Sequence, residues 1–269
     1  MKKAQETTIT TPLIPAAANA LYEARTVRRP IPPVRERFGL ATVDDAYAVQ
    51  QFNTGRLLAE GCRLVGRKIG LTSRAVQSQL GVSEPDYGML WAHDAVDTEG
   101  SASVRDFIAP KIEAEIAFVM GRDMADEDLS MQDMLWGVEY ALPAIEIVDS
   151  AIENWDIKLV DTIADNASGG GYVLGTGPRR ISALDLRMLG MVLSRAGMPV
   201  SLGVGAACLG HPLFALLWLA RKMVEVGEPL REGDLVLSGA LGPMVPVHAG
   251  DDFLAEIHGF TPVGVHFVP

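Results

Sequence analysis

The sequence PKIEAEIAFV (residues 110–119) decides the fold, because an apolar run is interrupted by two glutamates two positions apart. Successive side chains of a β-strand point to opposite faces of the sheet. A strand here places Ile112 and Ile116 on one face and both Glu113 and Glu115 on the other. The run therefore predicts a core strand that carries two carboxylates on a single face.

A third glutamate, Glu146, lies in similar apolar surroundings within LPAIEIVDS (residues 142–150). A helix predicted over Ser130–Leu142 separates the two runs and is long enough to bring the chain back beside its start. Carboxylates that lie close together repel unless a cation or a proton separates them, and oxygen-only sites suit Mg²⁺ or Mn²⁺. We therefore predict a metal site at Glu113, Glu115 and Glu146. The alternative is that the first two lie on a solvated strand face.

Two further residues are candidates for proton transfer. Lys68 stands between glycines in the β-like run LVGRKIGLTS (residues 64–73), just before a predicted helix led by Ser73. A lysine near a metal and a substrate could move protons if its pKa were lowered, whereas an exposed strand lysine would have no such role. Asp86, within EPDYG (residues 84–88), is interpreted from spacing alone as a turn residue.

The segment DTIADNASGGG (residues 161–171) reads as a polar, glycine-rich loop that could bind a carboxylate through its backbone N–H groups. It matches neither the phosphate-binding loop of nucleotide enzymes nor the dinucleotide fingerprint. The histidines have no spacing typical of a zinc site, and His211 is interpreted as a helix cap before Pro212. No Gly-x-Ser-x-Gly motif indicates a serine hydrolase.

The remaining pattern favours an α+β fold with a helical N-terminal segment (residues 1–62) and a mixed, β-rich domain (residues 63–269). Residues 1–14 are interpreted as a frayed start. Strands do not alternate regularly with helices, which disfavours a parallel barrel or a doubly wound sheet. The other predicted helices are Ala16–Arg25, Val43–Glu60 and Pro212–Val226. The predicted strands are Leu64–Ile69, Ile112–Met120, Ala144–Val148, Tyr172–Leu174, Leu235–Ser238, Met244–His248, Phe253–Ile257 and Val263–Val268.

Composition excludes several classes of protein. The 269 residues carry a formal net charge of −11, and hydrophobic residues make up 48%. Residues 1–37 hold seven Lys/Arg against three Glu, so the rest of the chain is strongly acidic and disfavours nucleic acid as a partner. The sequence predicts neither a membrane span nor a secretory signal. Two distant cysteines, Cys62 and Cys208, fit a reducing compartment, so a cytoplasmic protein is expected.

Seven segments in order resemble the hydratase/decarboxylase branch of the fumarylacetoacetase superfamily, over a stretch that runs from about Val43 to the C-terminus. The segments are GRKIGLTS (66–73), EPDYGML (84–90), PKIEAEIAFV (110–119), LPAIEIVDS (142–150), DTIADNAS (161–168), CLGHP (208–212) and GALGPM (239–244). The resemblance implies the family's β-rich C-terminal fold behind a smaller helical segment. It also implies large homo-oligomers, often built from rings of five.

For the site, the resemblance implies Mg²⁺ or Mn²⁺ on Glu113, Glu115 and Glu146, with Lys68 and Asp86 as acid/base residues. Ser168 and the glycines beside it would contact the substrate carboxylate. The implied reaction is hydration of 2-hydroxypenta-2,4-dienoate to 4-hydroxy-2-oxopentanoate, in the meta-cleavage degradation of aromatic compounds.

Alternatives remain within the same branch. A 4-oxalocrotonate decarboxylase would share the metal site, but decarboxylases tend to have proline between the two strand glutamates and a Gly-Gly-Ile-Thr-like segment near the C-terminus. Here the corresponding stretches are Glu113-Ala114-Glu115 and GALGPM (239–244), which favour the hydratase. A hydratase that acts on a dicarboxylate is a further alternative, because the second carboxylate of its substrate needs only one additional cationic or N–H contact. A non-catalytic partner subunit of a decarboxylase would have no reason to keep the five candidate residues.

Overall fold

The computed structural model describes residues 13–74, 77, 78 and 82–269. Within these ranges the helices are α1 (Leu13–Val27), α2 (Val34–Arg37), α3 (Val43–Ala59), α4 (Met131–Gly137), α5 (Leu159–Ala164) and α6 (Pro212–Glu225). The strands are β1 (Leu64–Gly70), β2 (Asp86–Trp91), β3 (Ala95–Val96), β4 (Ser101–Ser103), β5 (Pro110–Met120), β6 (Val138–Asp149), β7 (Gly169–Leu174), β8 (Gly190–Arg195), β9 (Met198–Val204), β10 (Leu235–Leu237), β11 (Val245–Pro246), β12 (Asp252–Ile257) and β13 (Val263–Val268).

The strands of the described residues form two mixed sheets. Together with the helices they confirm the predicted α+β class. One sheet has the order β2-β1-β10-β5-β6-β7-β3, and β11 adds to β5. The other has the order β4-β13-β12-β8-β9. Most neighbours are antiparallel, while β1 pairs with β10, β3 with β7 and β4 with β13 in parallel. The long β5–β6 pair lies at the centre of the larger sheet and positions the candidate site.

The two faces of β5 have the character that its sequence predicts. Ile112, Ile116 and Phe118 are fully buried in the main hydrophobic core. Ala117 belongs to a smaller apolar cluster on the opposite face, the face that also carries Glu113 and Glu115. At roughly 25 cal/mol per Å² of apolar surface removed from water, the main core supplies most of the driving force that holds β5 in place. The glutamates are therefore fixed by strong packing on the reverse side of their own strand.

The N-terminal helices pack on the β-domain and share a core with it. Leu21 of α1 and Val49 of α3 are buried in one cluster with two isoleucines of the β-domain. Ile152 follows the end of β6, and Ile163 lies in α5. The helix α3 begins at Val43 as expected, with the Thr42 side chain accepting a hydrogen bond from Asp45 N. This cluster holds α5 and the chain after it against the end of β6.

Several expectations about secondary structure are corrected. The predicted helix over Ser130–Leu142 ends at Gly137, and Val138–Leu142 begins β6 instead. Its Ser130 cap is confirmed, since Ser130 and Asp133 form a reciprocal capping box. The apolar stripe continues past Gly137 at helical spacing, but pairing with β5 outweighs that periodicity.

Other differences concern the chain's start and the smaller strands. The helix α1 begins at Leu13, inside the stretch interpreted as frayed, whereas residues 1–12 lie outside the described residues. The helix expected after Ser73 falls partly on undescribed residues. The β8–β9 hairpin was not predicted. Its two antiparallel strands are joined by a tight turn at Ala196-Gly197. The helix α6 is confirmed, with His211 Nδ1 accepting a hydrogen bond from Leu213 N. None of the described helices combines the length and apolar character that crossing a bilayer requires.

Candidate metal centre and active site

The three glutamates meet on one face of the β5–β6 pair. Glu113 lies directly opposite Glu146 in the antiparallel ladder, and Glu115 follows two residues further along β5. One carboxylate oxygen from each residue lies within 4.8 Å of the others. Glu115 is 0% exposed and Glu113 is half-buried, so the alternative of a solvated strand face is wrong for Glu115 and does not describe an open face at Glu113. The register of a single strand pair brings the predicted trio together.

The electrostatics of this cluster suit a bound cation. Glu115 Oε2 accepts a hydrogen bond from Gly239 N at 2.8 Å, whereas Glu115 Oε1 and Glu146 Oε2 are buried without a hydrogen-bond partner among the described residues. Burial, followed by repulsion from Glu146, raises the pKa of Glu113 to about 7. Burial, followed by repulsion from Glu146 and Glu113, also raises the pKa of Glu115. Orphaned carboxylate oxygens are what an oxygen-ligated divalent ion would satisfy.

Lys68 reaches this cluster from the neighbouring part of the sheet. It lies on β1, next to β10, and its side chain is 3% exposed, which excludes the exposed strand lysine. Its Nζ lies 3.0 Å from Glu146 Oε1 and donates a hydrogen bond of 2.8 Å to the Ala167 carbonyl oxygen. Burial lowers the pKa of Lys68, but four surrounding carboxylates, led by Glu146 and Asp86, raise it above its ordinary value overall. The carboxylates around Lys68 therefore oppose the lowered pKa that its predicted role requires.

Asp86 is the first residue of β2 rather than a turn residue, and it is 1% exposed. Neither of its carboxylate oxygens has a hydrogen-bond partner in the described parts of the chain. Burial raises the pKa of Asp86 to about 6, although Lys68 opposes the shift. Asp86 pairs with Gly70 across β1 and β2, and a Cβ at Gly70 would overlap Asp86 Oδ1 and lie 3.4 Å from Lys68 Nζ. The glycine therefore lets both groups approach the same point of the backbone.

Ser168 also faces this region, but the glycines beside it do not form the expected anion-binding loop. The segment 161–171 contains α5, a short 3-10 turn over Asn166–Ser168 and the start of β7. Gly169 and Gly170 line a separate cavity beneath α1 and α3. Ser168 Oγ lies 3.2 Å from Thr162 Oγ1. Ser168 thus remains a candidate contact for substrate. The glycines that follow it belong to β7, which pairs with β6, and they do not line the cavity that Ser168 lines.

A cavity of about 470 Å³ opens beside these groups. Its polar lining includes Lys68, Asp86, Glu113 and Ser168, with Thr72 and Thr162 nearby. The rest of the lining, here called the apolar wall, includes Leu71, Val148, Trp155, Ile157 and Met244. A cavity that combines a few charged groups with an apolar wall suits a small acid with an uncharged tail.

Sequence patterns alone could not identify all of these residues. The Ala167 carbonyl is a backbone group, so no side-chain motif marks it. Trp155 was not considered because the loop after β6 has no period, yet its indole Nε1 donates to Ala109 O at 3.0 Å and fixes the ring against the cavity. Thr162 is found only once α5 is placed beside Ser168. Each of these roles depends on tertiary contact.

Comparison with known proteins agrees with this geometry. The sequence profile of the family described as "Fumarylacetoacetate (FAA) hydrolase C-terminal" matches residues 64–268. The chain is 58% identical over 252 residues to the TodF product hydratase of Pseudomonas putida F1, covering 93% of this chain and 94% of that protein. It is 53% identical over 251 residues to the 2-keto-4-pentenoate hydratase of Paraburkholderia xenovorans LB400, covering 93% of each.

A solved structure gives the same picture of the fold. The 4-oxalocrotonate decarboxylase from Pseudomonas putida G7, complexed with magnesium and adipate, superimposes with a TM-score of 0.93 at 34% identity. The match covers 97% of this chain and 99% of the decarboxylase. With a family profile over most of its length and relatives above half identity, the chain belongs to the fumarylacetoacetate hydrolase family.

Proposed function

We propose that this protein is a divalent-metal-dependent hydro-lyase that adds water to 2-hydroxypenta-2,4-dienoate and gives 4-hydroxy-2-oxopentanoate, in the meta-cleavage degradation of aromatic compounds. The observation that carries the proposal is the placement of Lys68 and Asp86 beside the cluster of three glutamates, in a chain 53–58% identical to proteins named as hydratases of such compounds. The ligands proposed for Mg²⁺ or Mn²⁺ are Glu113, Glu115 and Glu146.

The reaction needs charge stabilisation at one end of the substrate and proton transfers at the other. A divalent ion at the glutamates would stabilise negative charge on the C1 carboxylate and C2 oxygen and would offset the carboxylates that raise the pKa of Lys68. A proton delivered to C5 converts the dienol into an α,β-unsaturated ketone, which makes C4 electrophilic. The C2 enol releases its O–H proton as C5 is protonated. Water then adds at C4 and gives up one proton to a base, and C3 takes up a proton to complete 4-hydroxy-2-oxopentanoate.

The chain's own residues divide this work by position. Lys68 and Asp86, both buried and both close to Gly70, share the proton delivery to C5 and the proton removal from water. Ser168 contributes a hydroxyl to the substrate's polar end. Trp155, Ile157 and Met244 exclude bulk water from the tail and hold it against an apolar surface.

A stopped assay with enzymatically generated 2-hydroxypenta-2,4-dienoate tests the proposal. We expect loss of its ultraviolet absorbance, appearance of 4-hydroxy-2-oxopentanoate, abolition by EDTA and recovery with Mg²⁺ or Mn²⁺. Absence of turnover there, together with CO₂ release from 4-oxalocrotonate, would move the protein to decarboxylation, the second candidate. The solved decarboxylase shares the fold at a TM-score of 0.93, but its 34% identity is well below that of the hydratases.

Assembly and location are part of the same proposal. We expect a homo-oligomer, such as a pentamer or decamer. We also expect that this oligomer can associate with another enzyme of the same pathway. Exposed Met198, Leu202 and Leu254 on the strands β9 and β12 supply apolar surface for such contacts. Both cysteines are free thiols, which suits the proposed cytoplasmic location. Light scattering after size exclusion and cell fractionation would test these points.

A further inference from the structure

The chain after α5 adopts an unusual backbone conformation. Asn166, Ala167 and Ser168 are consecutive non-glycine residues with φ angles of 55°, 51° and 54°. This left-handed region is unfavourable for L-residues with a Cβ atom, and asparagine tolerates it better than alanine or serine. Three such residues in succession persist only where surrounding contacts fix them, and strained segments of this kind cluster at functional sites.

The Asn166 side chain supplies the main contact that holds this turn. Its Oδ1 accepts a hydrogen bond from Met89 N at 2.7 Å, and its Nδ2 donates one to Met89 O at 3.0 Å. The side-chain amide of Asn166 thus forms the two hydrogen bonds with β2 that the backbone of a neighbouring strand would form. Gly88 provides the space, because a Cβ there would overlap the Asn166 carbonyl oxygen.

The turn carries two groups that face the candidate site. The Ala167 carbonyl oxygen accepts the hydrogen bond of 2.8 Å from Lys68 Nζ, and Ser168 lines the active-site cavity. Asn166 lines the other cavity, beneath α1 and α3, and is not part of the lining of the active-site cavity. Its side chain is therefore directed away from substrate and acts on the site through the next two residues.

We propose that Asn166 is a positioning residue for proton transfer by Lys68, and this inference rests on the proposed function. By tying the turn to β2, the strand that also begins with Asp86, the Asn166 amide sets the Ala167 carbonyl at the distance that orients the Lys68 ammonium. The same link fixes Lys68 relative to Asp86. The proposed metal ligands lie on β5 and β6, with which the Asn166 amide forms no hydrogen bond.

The test combines Asn166→Gly, Asn166→Asp and Lys68→Met. Glycine removes both hydrogen bonds while keeping left-handed backbone accessible, so folding is preserved. Aspartate keeps an acceptor for Met89 N and lacks the donor to Met89 O when ionised. Asn154→Gly is the matched control, because Asn154 is also left-handed, with φ 57°, and is exposed.

We expect Asn166→Gly to lower kcat by about 10- to 100-fold, as small misplacements of reacting groups do, with KM and Mg²⁺ affinity unchanged. The Asn166→Asp variant should lie between it and the wild type, and Asn154→Gly should keep full activity. In a Lys68→Met background, Asn166→Gly should lower kcat no further, because its effect passes through Lys68. An equal loss in both backgrounds, or a lowered melting temperature with unchanged kcat, would overturn the proposal.

A crystal structure of Asn166→Gly provides a readout that is independent of turnover. We expect the Lys68 Nζ–Ala167 O hydrogen bond to be lost while the three glutamates keep their places. If the wild type failed to hydrate the dienoate, the proposed function would be wrong, and this structure alone would decide the role of Asn166. Retention of that hydrogen bond in the variant would refute the positioning role.

Discussion

Glu113 and Glu146 face each other as directly opposed residues of the antiparallel strands β5 and β6. Side chains in such pairs are the closest neighbours that a sheet offers, and like charges there destabilise it. Here Glu115 adds a third carboxylate on the same face, and within the described part of the chain only Lys68 forms an ion pair with this cluster. The sheet therefore maintains a local excess of negative charge that a divalent ion would neutralise.

Removing one carboxylate should abolish tight metal binding. We expect Glu113→Gln, Glu115→Gln and Glu146→Gln each to weaken Mg²⁺ binding by more than about 100-fold, because even loss of an outer-shell partner costs about 10- to 100-fold. Isothermal titration calorimetry on EDTA-treated protein measures the change. Glu139→Gln is the matched control, since Glu139 lies on β6 as well but is exposed. Unchanged affinity in Glu113→Gln would show that the ion, if any, binds elsewhere.

Without metal, stability should fall as the pH rises. The pKa of Glu113 is raised from 4.5 to about 7 and that of Asp86 from 3.8 to about 6, so the folded protein binds more protons than the unfolded chain between these values. The stabilisation from this protonation is fully present below the unfolded pKa values of 3.8 and 4.5, and it is lost as the pH rises through the folded values of about 6 and about 7.

Chemical unfolding of EDTA-treated protein from pH 5 to pH 8 measures this slope. Saturating Mg²⁺ should reverse the trend, stabilising most at pH 8, by about 2.7 kcal/mol when the ion is at 100 times its Kd. The double variant Glu113→Gln, Glu115→Gln serves as the control and should flatten the slope, because it removes two of the groups responsible. A slope as steep as that of the wild type would assign the effect to other residues.

Lys68 should be needed for turnover and dispensable for the metal. We expect Lys68→Met to lower kcat by about 10²- to 10⁴-fold, the range for loss of a general acid or base. Its Mg²⁺ affinity should stay the same or increase, since the variant removes a positive charge 3.0 Å from Glu146. Steady-state kinetics and calorimetry give both values, and Lys222→Met on the surface of α6 is the control. A variant that lost metal binding would place Lys68 among the structural supports of the site.

The central strand pair could be predicted because its information is local. Strand periodicity alone assigns Glu113 and Glu115 to one face, and the apolar flanks of Glu146 indicate the same environment. The end of α4 could not be predicted, because residues 131–142 satisfy a helical stripe and only β5 decides that Val138 starts a strand. Asp86 resembles a turn residue in sequence, and its burial depends on the pairing of β2 with β1, which the local pattern does not show.

The N-terminal helices should stabilise the site through Arg25. Its Nε donates to Asp165 Oδ1 at 2.8 Å, and its Nη2 donates to Asp149 O at 2.7 Å. Asp165 is buried, and it also accepts a hydrogen bond from Ala151 N. We expect Arg25→Ala to lower the free energy of unfolding by about 2 kcal/mol at pH 8, because a hydrogen-bonded buried charge loses its partner.

The loss should be smaller at pH 5. Burial raises the pKa of Asp165 even beside Arg25, so without the arginine the carboxyl takes up a proton more readily and the uncompensated charge disappears. Urea unfolding at both pH values measures the difference. Arg231→Ala, which removes an exposed ion pair with Asp123, is the control and should change little. A loss independent of pH would indicate that Arg25 stabilises by packing alone.

The apolar wall of the cavity should determine which substrate tail is accepted. Among the described residues that line it, the charged ones are Lys68, Asp86 and Glu113. Each of them already has a proposed role in metal binding or proton transfer, so none is left to pair with a second carboxylate. A second carboxylate on the tail would be directed at Trp155 and Met244 without a partner, and an unpaired buried polar group costs about 1–3 kcal/mol.

We therefore expect kcat/KM for a dienoate ending in a carboxylate to be at least about tenfold lower than for one ending in methyl, since about 1.4 kcal/mol corresponds to tenfold. Met244→Lys supplies a cation at the mouth of the cavity and should narrow that ratio. Met188→Lys, at an exposed methionine outside the cavity lining, should leave it unchanged. Equal kcat/KM for the two substrates in the wild type would show that the tail does not contact this wall.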